Sequence, residues 1–130
     1  VNSEKIVKIM EKVRTHKDLT VYKKSIDFVT EIYQFTTTLP AEEKYGLTSQ
    51  LRRAAVSIPT NISEGSSRKS TKEYIQFLYI SLGSISEIET LVEISKNLGL
   101  MGTDTLELLT NDLEVIKRML ISLIKTLKNK

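Results

Sequence analysis

Cysteine is absent from this chain of 130 residues, which removes disulfides and thiolate metal sites from consideration. Histidine occurs once, as His16, so neither a histidine metal cluster nor a Ser-His-Asp triad can be built. Only five glycines and two prolines interrupt the chain, which favours long helices over many short strands. No apolar run approaches the roughly 18 residues needed to span a bilayer. The opening residues, VNSEKIVKIMEK, do not read as a signal peptide, and the expected location is the cytoplasm. No strand pattern, internal repeat or low-complexity tract is visible.

What is present is helical periodicity. The central stretch is GLTSQLRRAAVSIPTNISEG, from Gly46 to Gly65. Leu51, Ala54, Ala55, Ile58 and Ile62 recur at three- and four-residue spacing and share one face. Arg53, Ser57 and Asn61 form a polar line beside it. Pro59 removes an amide donor mid-helix and predicts a kink, and Gly65 reads as the C′ stop.

The remaining helices are built to pack against this one. Residues 20–37 and 71–97 are each apolar over more than a single core-facing stripe requires. Ser70-Thr71-Lys72-Glu73 is a capping-box pattern that opens the latter. Gly83 inside that helix costs about 1 kcal/mol relative to alanine, which predicts close approach of a neighbour. A last helix opens at an acidic capping pattern, Asp104 to Glu107, and holds its spacing through Leu127. His16 to Asp18 read as a connector, with Asp18 or Thr20 as the next cap. The expected architecture is all-α, an antiparallel up-down-up-down four-helix bundle over 18–130 with an N-terminal helical arm over 1–17.

Charge is unevenly spread. Residues 44–72 carry six basic and one acidic side chain, 73–114 one basic and eight acidic, and 115–130 five basic and none acidic. Either each helix has an ordinary solvated face, or one end of the bundle is basic and meets phosphates. Arg52, Arg68, Lys69 and Lys72 are the candidate nucleic-acid-binding residues, with Arg52 expected to be exposed. Lys117, Arg118, Lys125, Lys128 and Lys130 offer a second basic surface. Tyr79 is a candidate base-stacking residue, whereas Tyr74 fits the core better.

Arg53 sits one step off the apolar face of its helix, and Glu87 lies between Ile85 and Ile88. They are expected to form a buried ion pair that fixes register. An enzymatic reading pairing Glu64 or Glu87 as acid and base finds no supporting motif. No catalytic residue, metal or cofactor is therefore assigned.

The segments LPAEEKYGLTSQLRRAAVSIPTNISEG and FLYISLGSISEIETLVEISKNLG, with Arg68 and Ser70 between them, resemble the 23S rRNA intervening-sequence proteins, four-helix bundles of bacteria. The resemblance covers about residues 19–127 and leaves out 1–16. It implies the bundle fold and assembly into a homopentamer. A relative of that family, the accessory protein of diversity-generating retroelements, is a pentameric barrel that binds nucleic acid and a reverse transcriptase. Two functions follow as expectations. One is a nucleic-acid-binding or ribonucleoprotein accessory module. The other is a homo-oligomeric scaffold for a protein partner. Neither involves a membrane.

Overall fold

A computed structural model of the chain describes residues 3–4 and 16–130. Most of the expected N-terminal arm lies outside the described residues. Four helices follow: α1 (His16–Thr37), α2 (Leu47–Ser66), α3 (Thr71–Asn97) and α4 (Thr103–Lys128), with a short 3-10 turn at Ala41–Glu43. No strand occurs among the described residues.

The helix boundaries have local causes. Thr36, Thr37 and Thr38 at the end of α1 each turn a hydroxyl back onto a carbonyl three or four residues earlier. Pro40 then opens the 3-10 turn, and Gly46 caps α2. Ser70 Oγ accepts the Glu73 amide at 3.0 Å, as the capping pattern predicts. Gly99 ends α3 at φ +72°, with its amide bonded to Lys96 and the Leu100 amide to Ser95, a Schellman closure.

Three expectations at helix ends are corrected. His16–Asp18 is the first turn of α1, not a connector, because Asp18 is drawn into the core, where its carboxylate accepts from the Tyr74 hydroxyl at 3.1 Å. Gly102, not an acidic side chain, caps α4, and Asp104 sits in the first turn beside the positive end of the helix dipole. Gly65 does not stop α2, which runs on through Ser66.

Contacts link α1 with α2, α2 with α3, α3 with α4, and α4 with α1, so α1 and α3 are diagonal neighbours around one core. Phe28, Ile32, Leu51, Ile58, Tyr74 and Leu120 are fully buried there. The register of α2 on α3 is set by small polar side chains. Ser81 Oγ donates to the Ile58 carbonyl at 2.9 Å, and Ser84 Oγ bonds Ser57 Oγ at 2.8 Å. The pairings descend along α2 as they ascend along α3, so the two helices are antiparallel. Tyr79 with Lys128, and Glu89 with Lys117, show the same for α3 and α4.

Part of the excess apolar surface expected on α1 and α3 is left exposed among the described residues. Ile26 and Tyr33 on α1, and Ile80 and Ile94 on α3, are exposed. Gly83 is also on the surface, and a Cβ there would meet nothing within 4 Å. The close neighbour expected over Gly83 is therefore not found among the described residues.

Candidate nucleic-acid interface

Arg68 closes α2 onto the loop before α3. Its guanidinium lies 4.9 Å above the Phe77 ring and bonds Glu64 at 2.8 Å. Its charge is thus already matched, and its main effect is to fix the loop. Lys69 and Lys72 follow in the loop and the first turn of α3 and are exposed. Neither has an ion pair among the described residues.

The second basic segment arrives at the same place. Lys128, in the last turn of α4, donates to the Tyr79 hydroxyl at 2.9 Å, with its ammonium 5.4 Å from the ring centre. Tyr79 lies seven residues after Lys72, on the same face and about 10 Å further along the axis. Antiparallel packing therefore brings Lys69 and Lys72 to the same end of the bundle as Lys125, Lys128 and Lys130. Half-exposed Tyr79 stands between the two groups. At the opposite end, Glu42, Glu43, Asp104 and Glu107 outnumber Lys44 and Lys96.

Arg52 is not part of this surface. It lies in the other half of the bundle, about 20 Å along α2 from the loop. It is half-buried rather than exposed: Nε donates to Thr36 Oγ1 at 2.8 Å, and the guanidinium stacks 4.4 Å from the Tyr33 ring. Arg52 is the tie between α1 and α2. The expected buried pair of Arg53 and Glu87 is also corrected, since both side chains are exposed and no ion pair joins them. Ser57 and Ser84, one turn away, hydrogen-bond across the two helices instead.

A family model described as 23S rRNA-intervening sequence protein matches residues 17–122. The chain belongs to that family. Among solved structures it is similar to a protein of unknown function of the S23 ribosomal protein family from Bacteroides thetaiotaomicron VPI-5482. Identity is 31%, coverage is 84% of this chain and 98% of the other, and the TM-score is 0.78. No curated protein matches the chain. For this intervening-sequence protein the described residues hold no group of three or more His, Cys, Asp or Glu side chains suited to a metal. None of the described helices is long and apolar enough to cross a membrane.

One charged cluster was not anticipated. Glu31 on α1 and Asp112 on α4 meet at a small cleft that Lys24 and Asp27 also line. Glu31 Oε2 is buried and finds no donor among the described residues. Burial, a hydrogen bond with Asp112 that needs a shared proton, and repulsion from Asp112 and Asp27 push the Glu31 carboxyl from 4.5 to about 7. The signal in the sequence was faint: Glu31 and Asp112 each stand next to a core residue, Ile32 and Leu113.

The folded state therefore holds this proton more tightly than the unfolded chain. The stabilisation is complete below about pH 4.5 and is lost as pH rises through about 7. Glu31→Gln should remove that step and raise the melting temperature at pH 8 relative to the parent. Thermal melts from pH 5 to 8 check this, and parallel profiles for the two proteins would contradict it.

Proposed function

We propose that this intervening-sequence protein is a non-enzymatic, homo-oligomeric nucleic-acid-binding or ribonucleoprotein accessory module acting in the cytoplasm without a cofactor. The observation that supports the reading is the Lys128–Tyr79 bond, which holds the end of α4 against α3 about two turns from Lys72. Lys69, Lys72 and Lys128 supply phosphate contacts, and Tyr79 offers a face for an unpaired base. None of these contacts reads a base edge, so binding tolerates sequence. A pentamer, as the resemblance implies, repeats the surface around a ring and turns weak contacts into avid ones. The second reading, a scaffold for a protein such as a reverse transcriptase, is favoured by the exposed apolar side chains on α1 and α3.

Filter binding with structured RNA and single-stranded DNA separates the two. Three phosphate contacts should cost roughly 40-fold in affinity between 50 and 200 mM salt. Reversing Lys69, Lys72 and Lys128 to Glu should abolish binding while the circular dichroism stays helical. Arg52→Glu should instead loosen α1 from α2. Absence of binding at low salt by a folded oligomer would leave the protein scaffold.

A further inference from the structure

Beyond Tyr79 the exposed face of α3 has a gap. Tyr79 is 49% exposed, and Gly83 follows it by one turn, about 6 Å further along the axis. Long side chains on a helix lean towards its N-terminus, so the Tyr79 ring covers the turn before it, towards Gln76. The turn after it is open: a Cβ at Gly83 would meet no atom within 4 Å among the described residues. Ile80, 51% exposed, flanks the gap. Lys128 meets the tip of the ring through its bond to the hydroxyl, and Lys72 lies on the same face about two turns earlier. Neither lysine has an ion pair among the described residues. Glu87, exposed one turn past Gly83, puts negative charge on the far side.

We propose that Tyr79 and Gly83 form a seat for one unpaired nucleobase, which lies over Gly83 with its face on the Tyr79 ring. The proposal rests on the nucleic-acid reading above and names its substrate class, a strand with unpaired bases. Glycine in mid-helix costs about 1 kcal/mol relative to alanine, and no close packing among the described residues offsets that cost at Gly83. An open floor beside an aromatic ring gives the missing side chain a use. Charge decides the occupant. An apolar protein surface laid over Tyr79 would strip water from the Lys128 ammonium without supplying an anion. A nucleotide brings a planar base for the ring and a phosphate for Lys128 or Lys72. Glu87 repels that phosphate, so the backbone runs past the lysines and the base points towards Gly83. In a duplex each base is already paired and stacked on its neighbours, so a duplex reaches the lysines and leaves the seat empty.

Fluorescence anisotropy on the full chain at low salt tests it, with a short deoxyadenosine strand and an abasic strand of the same length. The abasic strand keeps the phosphates and lacks the bases. The parent should bind the deoxyadenosine strand roughly 10- to 100-fold more tightly than the abasic one, the range that stacking of one base supplies. Tyr79→Leu should bring the two strands to equal affinity. Tyr79→Phe keeps the ring and loses the Lys128 bond, and it should retain the preference. Gly83→Leu should fill the seat and remove the preference, and its melting temperature should not fall, because leucine is the better helix former. A parent that binds neither strand would overturn the nucleic-acid reading and this inference together. A parent that binds both strands alike, or a preference that survives either leucine variant, would overturn the seat alone.

Discussion

Replacing Tyr74 with alanine should lower the stability of the folded chain by about 3–5 kcal/mol. The ring is fully buried at the start of α3, and its hydroxyl reaches Asp18, itself 3% exposed, across the bundle. Truncation removes a large apolar volume and a donor to a buried carboxylate in one step. Tyr74→Phe isolates the second effect and should cost about 1–3 kcal/mol, because the carboxylate loses that donor in a place water does not reach. Urea denaturation followed by circular dichroism measures both. A loss under 1 kcal/mol for the alanine variant would mean that Tyr74 is not a core residue.

Gly65→Ala should destabilise by about 1–3 kcal/mol, although alanine is the better helix former by about 1 kcal/mol. A Cβ at this position would stand 2.7 Å from Phe77 Cβ and 2.8 Å from Tyr74 Cδ1. Phe77 Cβ is fixed to its backbone, so relief requires α2 and α3 to separate. That movement also strains the Ser81 and Ser84 bonds further along the same pair. The same denaturation experiment reads the effect, and an alanine variant at or above parental stability would contradict the close approach.

These two glycines mark where the sequence is legible and where it is not. A glycine that departs from a helical pattern signals a constraint, but the constraint lies in whatever stands opposite. Gly65 reads as a helix stop and is a packing contact. Gly83 reads as a packing contact and faces open space. A feature decided within four residues was readable, namely the Ser70 cap. Arg52 and Arg53 were not. Each borders the apolar face of α2, and the choice of which one is drawn in falls to Thr36 and Tyr33 on another helix. The basic surface was visible as two separate segments. Only the antiparallel placement of α4 against α3 makes them one.

Under the proposed nucleic-acid reading, the separation of charge between the two ends of the bundle bears on how fast a polyanion would be met, not only on how tightly it would be held. With lysines at one end and Glu42, Glu43, Asp104 and Glu107 at the other, the molecule is a dipole about as long as α3, whose 27 residues span about 40 Å. A polyanion turns such a body end-on before touching it, so a larger share of encounters begins in the productive orientation. The reach of that torque is the screening length, about 8 Å at physiological ionic strength, and dilution of salt extends it. Low salt should therefore raise the capture rate through orientation as well as lengthen the life of the complex.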